Sequence, residues 1–290
     1  MKKRIITGIC VALFWIALLI WAPTWCLFPV LLVVMWRCLH EYNVMLKNAK
    51  LERSPLFLLL AGTAWLIECY KQSNWGFLLI VTVLFILFLR VLLDPKVGRP
   101  IEMLGTTLLG FIYIPFMLGF FLFLAQFQSY YALPQLTREG IYLAAFVALV
   151  TKAGDVGAYA VGMAFGKHKM CPRISPKKTW EGLAGGLALS AALGAGFVWL
   201  AQNKFNPENF MTLRHFSLLE AALVGLVLCA IGVFGDLIES QLKRATQIKD
   251  SGHFLPGMGG LLDVFDSLMF TPAAFYFYLL ATHQHGRIFF

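Results

Sequence analysis

Residues 217–241 read SLLEAALVGLVLCAIGVFGDLIESQ, residues 242–267 read LKRATQIKDSGHFLPGMGGLLDVFDS, and a second apolar run then extends to about 281. The first segment is long enough to cross a bilayer, since roughly 20 apolar residues wound as a helix span a ~30 Å hydrocarbon layer. Its last turns nevertheless carry Asp236 and Glu239, and the connector adds Lys243, Arg244, Lys249, Asp250, Asp263 and Asp266. Which solvent surrounds the apolar flanks decides what these charges do. The composition of the chain answers this: 290 residues that are 59% hydrophobic and 13% charged, with a mean hydropathy of +0.74, lie far outside the range of soluble domains. The chain is predicted to be an all-α, polytopic integral membrane protein.

Nine apolar runs are long enough to cross, near 5–22, 26–45, 55–70, 75–93, 103–126, 140–164, 182–201, 217–241 and 262–281. Lys and Arg beside membrane helices favour the cytoplasmic side. With a cytoplasmic N-terminus, 18 of the 24 basic residues fall in cytoplasmic loops and five in outside loops, and Lys152 lies inside the sixth run. This ratio predicts nine spans with the N-terminus inside and the C-terminus outside, and the expected location is the inner, cytoplasmic membrane. The opening MKKRIITGICVALFWIALLIWAP also has the basic start and apolar middle of a signal peptide, but it lacks an A-x-A-like exit and its apolar run is long, so it is read as a span. The net charge of +9 is spread over cytoplasmic loops, as suits anionic headgroups, and argues for membrane lipids as partners and against nucleic acid. The six cysteines have no C-x-x-C spacing and read as packing residues.

The chain reads as one membrane domain with two regions of different character. Residues 1–135 are spans rich in Leu, Phe and Trp and read as scaffold, whereas residues 136–290 contain intramembrane ionisable groups and two polar cytoplasmic loops. The small-residue stretch GLAGGLALSAALGAG predicts close helix approach in the second region.

Three clusters carry chemistry. Asp236, Glu239, Ser240 and Lys243 recur at i, i+3, i+4 and i+7 and therefore share one helix face. Carboxylates turned toward lipid would cost several kcal/mol, so this face should meet protein or a hydrated cavity. Pro256, Gly257, Gly259 and Gly260 then permit a tight turn with exposed N–H groups, from which Asp263 and Asp266 enter the ninth span at i and i+3. In the third cluster, Lys152 and Asp155 sit inside a span and can neutralise each other. The loop from Gly166 to Glu181 adds five basic residues together with Ser175, Thr179 and Trp180. Cations interleaved with hydroxyls at a bilayer surface suit a phosphate. Oxygen ligands for a hard divalent cation, beside cations for phosphates, point to a metal-dependent membrane enzyme acting on phosphorylated substrates.

These residues resemble the phosphatidate cytidylyltransferases, or CDP-diacylglycerol synthases. The resemblance rests on Ser240, Lys243-Arg244, Lys249-Asp250, Pro256-Gly257-Met258-Gly259-Gly260 and Asp263-Val264-Phe265-Asp266, with SPKKTWEG at 175–182 and GDVGAYAVGMAFGKHK at 154–169 upstream. It implies transfer of a cytidylyl group from CTP to phosphatidate, with release of pyrophosphate. It implies that Asp236 and Asp263 hold Mg2+, with Asp266 as a further ligand, and that a second metal or K+ accompanies it. Asp236, Lys243, Asp263 and Asp266 are then the catalytic set. Ser175, Lys177, Lys178, Thr179, Ser240, Arg244, Lys249, Asp250, Gly259 and Gly260 form the substrate-binding set. A second copy of the chain is a further candidate partner. Met258 and Val264 stand where the family has His and Arg. Either nearby cations, Lys249 and His253 or Arg173, Lys177 and Lys178, substitute for them, or the pocket has repacked around two apolar residues, which is favoured because Val264 points about 100° away from Asp263 on a helix.

Two other readings use the same residues. One is a CTP-dependent transferase acting on another lipid phosphate or a polyprenol. The other is an ion-coupled transporter in which Lys152, Asp155, Asp236 and Asp263 form a relay. The gathering of carboxylates at cytoplasmic span ends, beside basic loops, favours the enzyme.

Overall fold

A computed structural model describes residues 24–95, 97–127, 138–205, 210–252, 254, 255, 257 and 259–282. The described residues form nine helices, in chain order α1 (Leu27–Asn48), α2 (Pro55–Lys71), α3 (Gly76–Leu93), α4 (Pro100–Ala125), α5 (Glu139–Phe165), α6 (Trp180–Asn203), α7 (Met211–His215), α8 (Leu218–Ala245) and α9 (Leu262–Thr282). Eight of them occupy eight of the predicted apolar runs; the short α7 lies between runs, and the run near 5–22 lies outside the described residues. Among the described residues six helices, α3, α4, α5, α6, α8 and α9, are long and apolar enough to cross a membrane. Helices prevail because a backbone in hydrocarbon must satisfy its hydrogen bonds within its own segment.

The described residues sort into two compact units. One contains those up to Phe123 together with Leu242–Val264, and the other contains Leu124–Gln241 together with those from Phe265 onward. In the first, Pro55 and Pro100 open α2 and α4, where a missing N–H costs nothing. Trp65 on α2 stacks on Phe116 at 5.1 Å between ring centroids and meets Phe111 and Phe123 edge-on. Pro115 lies in a π turn at Ile112–Phe116, since its ring lacks the donor that an α-helical ladder needs. The Tyr42 hydroxyl donates to the Thr106 carbonyl at 2.8 Å, tying α1 to α4. In α3 only Val83 and Leu87 are buried.

In the second unit α5 packs lengthwise on α6 through small residues, as the glycine-rich stretch predicts. A Cβ on Gly157 would lie 2.6 Å from the Gly185 carbonyl oxygen. The Ser190 hydroxyl donates to the Val150 carbonyl at 2.8 Å. The polar segment between α5 and α6, expected as a loop, is an antiparallel hairpin of β1 (Lys169–Cys171) and β2 (Ser175–Thr179). Its register pairs Lys169 with Thr179 and Cys171 with Ser175. The helix expected to run unbroken from 262 tightens to 3₁₀ winding at Asp266–Leu268 and resumes at Thr271. Pro272 follows immediately and has no N–H to return to the Leu268 carbonyl, which explains the interruption. All five described cysteines are free thiols, and Cys38, Cys69 and Cys229 are buried.

Candidate active site

The second unit gathers three carboxylates. Asp236 and Glu239 lie on one face of α8, and Asp266 comes from the 3₁₀ turn of α9. One oxygen from each lies within 4.8 Å of the others. Glu239 is fully buried and Asp266 is nearly so. What lets α8 approach is Gly235: a Cβ there would stand 2.5 Å from the Asp266 carbonyl oxygen. Three ionised carboxylates this close would repel one another by about 3 kcal/mol per pair at an effective dielectric near 20. Clustered hard oxygen donors of this kind fit a hard divalent cation.

Cations from two other elements close around the cluster. Lys178 Nζ, on β2, lies 2.9 Å from Asp236 Oδ2 and donates to the Val233 carbonyl at 3.2 Å. Ser240 Oγ donates to Asp236 Oδ1 at 3.3 Å. Next to Asp266, the Ser267 hydroxyl lies 2.8 Å from Asp155 Oδ2, and Lys152 Nζ donates to both, at 2.7 Å to Ser267 and 2.9 Å to Asp155. The predicted Lys152–Asp155 neutralisation therefore exists, with a hydroxyl as its third member.

The hairpin is fastened at its base by the start of α6. Thr179 Oγ1 accepts from the Gly182 N–H at 3.1 Å, an N-cap. Glu181 accepts from the Lys167 and His168 N–H groups at 3.2 Å and lies 2.6 Å from His168 Nδ1. Of the residues expected to bind phosphate here, Lys177 is exposed, Ser175 and Lys178 are half-buried, and Thr179 is buried in the cap.

In the first unit Lys243 Nζ donates to Asp263 Oδ1 at 2.6 Å. Asp263 Oδ2 accepts from the Ser251 N–H at 3.0 Å and the Gly260 N–H at 2.7 Å, with Ser251 Oγ 2.8 Å away. The turn before it needs its glycines, because Gly257 and Gly259 take φ of +80° and +98°. Asp263, expected among the metal ligands, thus meets a lysine and its own loop. Arg244, Lys249 and Asp250 are exposed. Val264 is 9% exposed, so an arginine at that position would place its stem in a packed site; Met258 lies outside the described residues.

Two acidic residues of these clusters escaped the predicted site. Glu239 was on the polar face but carried no assigned role. Glu41, on α1, is buried against the Gly-rich turn, and beside Arg37 and His40 in sequence nothing set it apart from an ordinary polar span end.

Comparison with known proteins agrees with this chemistry. A Bacillus subtilis (strain 168) protein named phosphatidate cytidylyltransferase is 32% identical over an alignment of 289 residues, which covers 96% of this chain and 97% of that protein. A Mycobacterium bovis protein of the same name is 28% identical over 285 residues, 93% of this chain and 85% of its own. One from Haemophilus influenzae is 41% identical over 147 residues, 49% of this chain and 48% of its own. The family model described as "Cytidylyltransferase family" matches residues 2–282, a span that contains the carboxylate cluster, and the chain belongs to the cytidylyltransferase family.

Proposed function

We propose that this protein transfers the cytidylyl group of CTP to phosphatidate in the cytoplasmic membrane, forming CDP-diacylglycerol and pyrophosphate. The observation that carries this reading is the grouping of half-buried Asp236 with buried Glu239 and Asp266 on membrane helices, with Lys178 attached to it. A phosphate oxygen of phosphatidate attacks the α-phosphorus of CTP. The bond from that phosphorus to the bridging β-phosphate oxygen breaks, and pyrophosphate leaves with the electron pair. The attacking oxygen is already anionic at neutral pH, so the reaction needs positioning and charge neutralisation more than a general base.

Asp236, Glu239 and Asp266 would hold Mg2+, which when bound supplies positive charge to phosphate oxygens. Asp263 serves through Lys243, which it holds at 2.6 Å. Lys178 and Lys243 supply ammonium groups already aimed at carboxylates, and exposed Lys177, Arg244 and Lys249 draw the triphosphate toward the surface. Purified protein given phosphatidate, Mg2+ and CTP labelled at the α-phosphate should place label in the extracted lipid. EDTA should abolish the transfer and Mg2+ restore it. Undiminished labelling in EDTA would remove the metal from the reading, and label only on a different lipid phosphate would change the acceptor.

The same proposal places the N-terminus and the segments Lys167–Lys178 and Lys243–Lys249 on the cytoplasmic face, on the 18 to five distribution of basic residues. Cysteines introduced at Lys177 and at Asn206, in a background without native cysteines, should react with an impermeant thiol reagent from opposite sides. Labelling of both from one side would contradict a crossing between them.

A further inference from the structure

We propose that Glu41, on α1, is a positioning residue for the catalytic loop, fixing the Gly-rich turn so that Asp263 stays aligned with Lys243. This rests on the cytidylyl-transfer reading above and adds a residue far from every motif that supports it. Glu41 is 1% exposed, a placement that is costly for a carboxylate unless donors surround it. Donors do surround it. Oε1 accepts from Leu261 N–H at 3.0 Å and Arg37 Nε at 3.1 Å, while Oε2 accepts from Leu262 N–H at 2.9 Å with Ser251 Oγ at 3.1 Å.

Leu261 and Leu262 stand at the start of α9, where N–H groups have no partner in their own helix. Glu41 therefore caps α9 from 221 residues away in sequence, and the positive end of the helix dipole favours its charge. The loop is shaped to receive it: a Cβ on Gly260 would fall 2.3 Å from Glu41 Oε2, and one on Gly252 would fall 2.8 Å from Oε1. The link to the chemistry is Ser251, whose hydroxyl lies between Glu41 and Asp263, and Asp263 in turn holds Lys243. Moving Glu41 thus moves the support of the lysine that neutralises phosphate charge, although Glu41 touches no reacting atom.

An amide cannot replace this carboxylate. Because both oxygens accept from donors, the NH2 of a glutamine must face one donor whichever way it turns. Glu41→Gln is therefore expected to lower kcat by ~10-fold to 10²-fold while the KM for CTP shifts by less than about threefold. Glu41→Asp, which keeps the charge with a shorter reach, should recover part of the loss. Hydrogen exchange at the Gly260–Leu262 amides should accelerate in Glu41→Gln, and the thermal midpoint in detergent should stay near that of the unaltered protein. Unchanged kcat would overturn the proposal. So would a variant whose folded fraction keeps full kcat while the thermal midpoint falls, since that is a purely structural role. If the unaltered protein made no lipid product, the transfer reading would fail on its own, and unchanged amide exchange in Glu41→Gln would separately overturn the hold of Glu41 on the loop.

Discussion

Asp236→Asn and Asp263→Asn should each lower kcat by at least ~10²-fold in protein that still inserts and purifies, the scale expected when a charge-stabilising group is removed from a site of developing charge. The two losses should arise differently. Asparagine at 236 removes one of three clustered oxygen donors and turns an amide toward Lys178 or Ser240. The Mg2+ concentration needed for half-maximal rate should therefore rise. Asparagine at 263 must set its NH2 against either Lys243 or the Ser251 and Gly260 amides, so it should displace either the lysine or the turn that supports it. Initial rates of label transfer over a magnesium titration distinguish the two. Retention of more than about a third of the activity in both variants would sink the assignment of these carboxylates to the reaction.

Gly235→Ala should cost ~10²-fold in activity, because displacing catalytic groups by about 1 Å is enough for such a loss. The added methyl would stand 2.5 Å from the Asp266 carbonyl oxygen. That oxygen is backbone and cannot rotate away, so α8 or the 3₁₀ turn must shift and spread Asp236 from Asp266. Gly196→Ala is the matched control: it is also a glycine in a membrane helix, and a methyl added there would have nothing within 4 Å of it. It should keep full activity and, if anything, gain up to ~1 kcal/mol of helix stability. Equal activity in both variants would show that the close approach at Gly235 does not set the geometry of the cluster.

Much of this architecture was legible in the sequence because lipid enforces a simple rule. Where hydrocarbon allows only helices, apolar length predicts elements well, and eight predicted runs coincide with α1 to α6, α8 and α9. The same rule says nothing about polar connectors. The β1–β2 hairpin was read as a loop because three- and five-residue strands carry too little alternation to announce themselves. The polar face of Asp236, Glu239 and Ser240 followed from helical spacing alone. The partners across that face did not, since Lys178 reaches Asp236 over a separation of 58 residues and Ser267 reaches Asp155 over 112. Glu41 was hidden more deeply: beside Arg37, His40 and Asn43 its charge looks like part of an ordinary polar span end until the turn at Gly259–Leu262 is set against it. The 3₁₀ winding at Asp266 was foreshadowed by Pro272, a signal of backbone chemistry rather than of hydropathy.

The near-absence of buried residues on α3 has an evolutionary consequence. Val83 and Leu87 are its only buried positions and more than half of Gly76–Leu93 is exposed, so the exposed face meets a fluid that discriminates little between Leu, Ile, Val and Phe. Natural selection can therefore see the oiliness of this helix but hardly its spelling. Neutral drift should exchange its letters freely among descendants while holding those two sites and its length, so that α3 ages into unrecognisable sequence faster than any helix carrying Glu41, Gly235 or Asp266.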